Sequence, residues 1–367
     1  MIVPKALSLA TIVMAAAFAT SAHAEILIAV AGPITGQYEW TGEQQRRGAE
    51  MAVADINAKG GILGETVRLI VGDDGCFPDQ AAAVAKKLVS DGVVFVAGHF
   101  CSHSSIPASK VYEKAGVLMI SPGSTNPRLT DEGGDNVFRV CGRDDQQGMV
   151  AGDYLADAWG DKKIAILHDN STYGKGLADE TRKQLNKRGV QEAMYEAYVP
   201  GEKDYSPLVS RMQLANIDVL YVGGYSTEAA LILRQARGKD YAVQLVGGDT
   251  LTTNEFWMIT GLAGEGTLMT FGPDHRESEA AREVVEKFRA QDFEPLGYTL
   301  YAYGAVQVWA QAVEKAGSLD LGAIIKTLRS DEFDTVLGRI GFDEKGDVTA
   351  SGYVWYVWKN GEHHQLK

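Results

Sequence analysis

The feature that most limits what this chain can become is its alternation of short apolar runs with amphipathic stretches. Apolar runs at 26–31, 67–71, 93–97 and 117–120 are separated by stretches at 43–58, 79–90 and 105–115 with helical spacing. A parallel strand pair needs a helical crossover to bring the chain back, so this alternation predicts a parallel sheet covered on both faces. The stretch EQQRRGAEMAVADINA, 43–58, puts Ala49, Ala52, Val53 and Ile56 on one helical face, and Gly60-Gly61 ends it. A second series follows, with strands near 164–167, 193–199, 218–222 and 243–246 and helices near 174–188, 205–215 and 227–237. After residue 272 three helices run in succession (278–290, 298–316, 321–329). The closing segment, GRIGFDEKGDVTASGYVWYVW, reads as antiparallel strands with Glu344-Lys345-Gly346-Asp347 as the turn.

Two α/β series, a helical return and a terminal hairpin predict two lobes that exchange segments. Each lobe is a parallel sheet flanked by helices, and the crossings fall near 141–145, 271–275 and 349–353. The first lobe is expected over 25–143 plus 274–350 and the second over 144–273 plus 351–367. Three crossing segments make a hinge.

Residues 1–24 stand apart from this pattern. Lys5 supplies a short positive region, Leu7 to Thr20 is small and apolar, and Ala22-His23-Ala24 fits a small-x-small cleavage rule. These are the marks of a secretory signal peptide, and no cysteine stands at the cleavage point to carry a lipid. The expectation is a soluble exported chain, periplasmic in a Gram-negative cell. The net charge of −13 includes Lys5, so the chain from Glu25 onward carries −14, which argues against nucleic acid as a partner.

An exported chain with three cysteines has one disulfide and one thiol left over. Cys76 and Cys101 each follow a strand-like run, and we pair them on the expectation that those strands are neighbours. The loop so closed is worth roughly 3–4 kcal/mol in chain entropy. Cys141 is expected to be free and buried.

Ligands of open α/β sheets bind beyond the carboxyl ends of the strands. GPITGQYEWTGE follows the first strand, with Tyr38 and Trp40. AGHFCSHSS follows the run at 93–97, where Cys101 and Ser102 are open to readings as nucleophile, metal ligand, staple or anion cradle. Ser121, Gly123, Ser124 and Thr125 come after the next strand, and Tyr173, Tyr225 and Asp249 follow strands of the second series. Hydroxyls and backbone N–H groups at helix starts bind anions without a cationic side chain. Such a cradle facing one carboxylate, between aromatic walls, suits a zwitterion, and so an α-amino acid. Taken singly, each hydroxyl is as well explained as a helix cap. A cysteine with a disulfide mate is poor nucleophile material. The sequence carries no G-x-S-x-G, G-x-x-x-x-G-K-[ST] or G-x-G-x-x-G motif. No enzyme activity, cofactor or metal is expected, and His363-His364 reads as a solvated tail.

AVADINAKGGI (52–62), DDGCFPDQAAAVAKKLV (73–89), GHFCSHSSIPAS (98–109), SPGSTNP (121–127), HDNSTYGKGLA (168–178), GEKDYSPLVSRM (201–212), YVGGY (221–225) and DEKGD (343–347) occur in this order. In these stretches the chain resembles the periplasmic leucine/isoleucine/valine-binding proteins, solute receptors of branched-chain amino acid ABC importers. The resemblance implies the type I periplasmic binding fold and the Cys76–Cys101 disulfide. It implies that Ser102, Thr125 and backbone near Gly123 hold an α-carboxylate. Thr125, the Gly123 carbonyl and Asp249 would meet the ammonium, with Tyr173 and Tyr225 closing over and Tyr303 near the rim. Asp249 stands where a branched-chain receptor of that family carries the longer Glu, and Trp40 where a Tyr is expected nearby; Trp40 and Phe100 would shape the side-chain pocket. The function implied is a monomeric receptor for a neutral, branched-chain amino acid that hands its ligand to a membrane permease. The alternative is the same fold holding a carboxylate, amide, urea or aromatic acid.

Overall fold

The computed structural model describes residues 25–350 and 352–366. The signal peptide expected over 1–24 lies outside the described residues. Five parallel strands form the first sheet: β1 (Glu25–Gly32), β2 (Thr66–Asp73), β3 (Phe95–Gly98), β4 (Leu118–Ser121) and β5 (Val137–Arg139), in the order β2-β1-β3-β4-β5. A second sheet holds β6 (Ile164–His168), β7 (Met194–Ala197), β8 (Val219–Gly223), β9 (Gln244–Gly247) and β10 (Leu268–Phe271), also parallel. A separate antiparallel pair, β11 (Phe333–Thr335) and β12 (Gly338–Ile340), follows. The hairpin β13 (Val354–Lys359) and β14 (Glu362–Gln365) then extends the second sheet antiparallel to β10, giving the order β14-β13-β10-β9-β8-β6-β7.

Burial explains the apolar runs. Every residue of β3, β4, β6 and β8 is buried, as expected of parallel strands with helices on both faces. The Thr299–Ala316 helix returns to the first sheet, where Trp309 stacks on Phe95 with ring centres 5.1 Å apart. It crosses the Glu39–Ala58 helix at Gly48, where an added Cβ would lie 2.2 Å from the Thr299 carbonyl oxygen; this backbone approach admits only glycine. The chain thus passes between the two sheets after Arg139, after Phe271 and again before Val354.

Four readings of the sequence are corrected. The strands before Cys76 and Cys101 are not neighbours, since β1 lies between them; the two cysteines meet in the loops beyond the strand ends, Cα atoms 5.6 Å apart. The helix expected from residue 105 begins at Ser102 and carries Pro107 inside it. The terminal segment is not one ladder: β12 pairs with β11, β13 pairs with β10 and β14, and 343–347 forms its own turn closed by the Phe342–Val348 bridge. His363 and His364 belong to β14, where the His363 ring packs on Trp358 at 5.1 Å, rather than to a solvated tail. The strand β5, of three residues, is too brief to stand out as an apolar run, and Thr270 interrupts β10.

Candidate functional site

The loops at the carboxyl ends of β3 and β4 are built as one unit. His99 is fully buried, with Nδ1 2.5 Å from the Asp74 carboxylate and Nε2 2.9 Å from the Tyr112 hydroxyl. The disulfide follows two residues later, so Phe100 is pinned from both sides. Ser121 donates to the His99 carbonyl at 3.0 Å, and Ser124 donates to the Phe100 carbonyl at 2.6 Å. Ser102 opens its helix, and its hydroxyl accepts from the Asn126 N–H at 3.2 Å. Thr125 is buried, and its hydroxyl lies beside the buried Asp144 carboxyl. Gly123 has room for nothing larger, since an added Cβ would lie 2.6 Å from the Phe100 ring.

Cys76, Cys101 and His103 lie close together, but both sulfurs are spent in the disulfide and His103 Nε2 donates to the Cys76 carbonyl at 2.7 Å. Burial pushes the pKa of His103 down. This cluster is a staple, not a metal site.

The second sheet supplies the opposing wall. Tyr173 lies in the first turn of the Thr172–Lys187 helix, and Tyr225 immediately precedes the Ser226–Arg237 helix. Asp249 follows the Gly247-Gly248 pair. The Tyr173 hydroxyl donates to Asp249 Oδ1 at 2.7 Å, and the Tyr298 hydroxyl donates to Oδ2. Burial pushes the Asp249 carboxyl up, and the two phenol donors pull it back. Asp144 is buried close by; burial and then the Asp249 charge push its carboxyl well up, while the Thr125 hydroxyl beside it draws it down.

The two walls touch. Tyr38 lies against Tyr225 with ring centres 4.3 Å apart, and Tyr225 against Tyr173 at 5.2 Å. Gln37 Nε2 donates to Glu228 Oε1 at 2.6 Å, and Asn126 Nδ2 to the Thr172 carbonyl at 2.8 Å. Phe100 meets Tyr298 edge-on at 5.2 Å. Contacts therefore run from the Phe100 loop through Tyr298 to Asp249, and Ser102, Thr125 and Asp249 are all buried.

Ser102, Gly123, Thr125, Tyr173, Tyr225 and Asp249 are brought to this cleft. Three expected residues are not used as expected. Trp40 is 41% exposed in the first turn of its helix, and Tyr38, two residues earlier, takes the aromatic place against Tyr225. Tyr303 points to the outer face, donating to Asp55 at 2.7 Å beside Lys287, because it lies more than a helical turn beyond the cleft end of its helix. The Ser124 hydroxyl is consumed beneath the loop by Phe100 and Ser105. Tyr298 was missed; the signal was the tyrosine-rich start of that helix, where only the residue beside its N-terminus reaches the cleft.

Residues 25–362 match the family described as periplasmic binding protein. A Leu/Ile/Val-binding protein homolog of Brucella suis is 48% identical over 346 residues, 94% of this chain and 93% of the relative. An amino acid binding protein of Pseudomonas aeruginosa is 48% identical over 351 residues, 95% of this chain and 94% of the relative. The crystal structure of a leucine-binding protein, LivK, of Thermotoga maritima superposes with a TM-score of 0.86 at 28% identity, covering 93% of this chain and 98% of that one.

Proposed function

The chain belongs to the periplasmic binding protein family, and from that premise we propose that it is the extracytoplasmic receptor of an ABC importer for a neutral, aliphatic, branched-chain L-amino acid. As a member of that family it is a receptor and not an enzyme. The observation that carries the ligand class is the opposition of Asp249 to Ser102 and Thr125. Asp249 is a buried carboxylate with two neutral phenol donors and no ion-pair partner among the described residues, which is what an ammonium needs. On the first-sheet side, the start of the Ser102–Ala115 helix offers N–H donors to a carboxylate. Uncharged walls formed by Phe100, Tyr38, Tyr225 and Tyr298 leave the ligand side chain an apolar surround.

On this reading the lobes are 25–143 with 274–350 and 144–273 with 351–367, and they close about the three crossings. The ligand touches both lobes only when they are closed, so its affinity is the differential free energy of the closed state. The closed monomer is the form presented to a membrane permease in the periplasm, after export and removal of residues 1–24.

The test is a thermal-shift screen of refolded, ligand-stripped protein against the amino acids, their decarboxylated amines and their deaminated acids. A ligand at 100 times its Kd stabilises by about 2.7 kcal/mol. Shifts with Leu, Ile or Val, but not with the matching amines or acids, are expected, and Asp249→Ala is expected to abolish them. Shifts with acids alone would retire Asp249 as the ammonium partner.

A further inference from the structure

Arg139 ends β5 with its side chain fully buried beneath the Gly123–Pro127 loop. Its Nη1 donates to the carbonyls of Ser124 at 2.9 Å and Asn126 at 3.0 Å, on either side of Thr125. Its Nη2 donates to the Thr130 hydroxyl at 2.6 Å, and its Nε lies 2.6 Å from Asp347. Asp347 ends the DEKGD turn, which the ligand contacts leave unexplained. That turn is organised around the arginine: Gly346 O accepts from the Arg139 N–H at 2.9 Å, and Asp343 Oδ1 accepts from the Asp347 N–H at 2.9 Å. Asp347 also receives Arg143 Nη1 at 2.6 Å, and Arg143 immediately precedes the helix that opens the second series.

The two carbonyls held by the guanidinium fix the peptide planes around Thr125. In a trans peptide the carbonyl and the next N–H point to opposite sides. With the Ser124 carbonyl drawn down to Arg139, the Thr125 N–H is turned the other way, and it has no hydrogen-bond partner among the described residues. We propose that Arg139, anchored on Asp347, is a positioning residue for ligand recognition: it sets the Gly123–Pro127 loop so that the Thr125 N–H faces the ligand carboxylate. Nη1 holds both carbonyls while Nη2 and Nε of the same rigid plane engage Thr130 and Asp347, and a lysine ammonium, with one nitrogen, cannot reach all four partners. The inference rests on the amino-acid reading above and assigns the DEKGD turn to the same site.

The experiment measures Kd by titration calorimetry for wild type, Arg139→Lys and Asp347→Asn, each well below its own Tm. The probes are the tightest binder among L-leucine, L-valine and L-alanine, and that amino acid's carboxamide. Arg139→Lys is expected to weaken the amino acid by about tenfold or more while changing the carboxamide far less, so the preference for a carboxylate narrows. Asp347→Asn leaves the guanidinium in place without its anchor and is expected to narrow the preference in the same direction, less steeply; it carries the test if Arg139→Lys does not fold. Equal weakening of both probes, as general loosening would give, overturns the proposal, and so does an unchanged preference. Wild type that binds no amino acid overturns the amino-acid reading and this proposal together, whereas wild-type binding with unaltered variants overturns this proposal alone.

Discussion

Tyr298 and Asp249 meet across the cleft: a phenol at the start of the helix that covers the first sheet donates its proton to a carboxylate at the end of a strand in the second. With Tyr173 on the other oxygen, Asp249 is held in place by two phenol donors; burial pushes its carboxyl up, and these donors draw it down. Tyr298→Phe removes one donor and leaves a buried carboxylate oxygen unpaired. A hydrogen bond to a charged group is worth about 1.5–3 kcal/mol, so amino acid affinity is expected to fall roughly ten- to a hundredfold. Calorimetry on the variant checks it; affinity within about twofold of wild type would show that the ligand does not use Asp249 as a carboxylate.

Gly123 and Phe100 are coupled by space. Gly123→Ala drives a methyl group into the Phe100 ring, which cannot swing aside freely because it packs edge-on against Tyr298 at 5.2 Å. Overpacking of this kind costs about 1–3 kcal/mol and is felt in the binding loop. Gly123→Ala is expected to weaken binding, Phe100→Leu to alter it on its own, and the double variant to recover much of the first loss. A double-mutant cycle that sums to zero would show that the loop absorbs the methyl elsewhere.

The strand-then-helix alternation was legible because parallel strands buried on both faces are apolar throughout, and β3, β4, β6 and β8 are such strands. Chain order does not give spatial order: β1 separates the strands before Cys76 and Cys101, which follow one another in the chain without being neighbours in the sheet. The site was legible where chemistry needs a residue at a strand end: Ser102, Thr125, Tyr173, Tyr225 and Asp249 all follow strands. It was illegible where position along a helix decides. Tyr298 and Tyr303 share a tyrosine-rich run, yet one reaches Asp249 and the other Asp55. Tyr38 and Trp40 likewise differ only by which of them faces Tyr225.

The disulfide ends one residue before Ser102, so its loss is expected to lower both stability and the order of the carboxylate cradle. Cys76 and Cys101 are 25 residues apart, and a loop of this size stabilises by about 3–4 kcal/mol on the chain-entropy account. The Cys76→Ala/Cys101→Ala variant is expected to lose stability of that order in urea titration while still binding ligand, because neither sulfur takes part in recognition. Saturating ligand is expected to restore part of the loss by mass action. Complete loss of binding in a folded variant would mean that the staple sets the cradle rather than supporting it.

Asp169, in the loop after β6, gives stability a pH dependence whose sign can be worked out. Burial, with the Glu228 charge adding to it, pushes its carboxyl up to about 6 despite the Ser171 N–H on Oδ1 at 2.8 Å. An acid whose pKa is raised in the native state holds its proton longer there than in the unfolded chain. Its contribution is therefore fully present below the unfolded value near 4 and is lost as pH rises through about 6. The loss is about 3 kcal/mol, from roughly two units at 1.36 kcal/mol each. Asp169→Asn keeps the acceptor for Ser171 and cannot ionise, so its stability relative to wild type is expected to climb by about that amount between pH 4 and pH 7 and to level off above. Urea titrations of both proteins across that range check it. A constant difference between them would show that Asp169 titrates at its ordinary value, with water reaching the carboxyl.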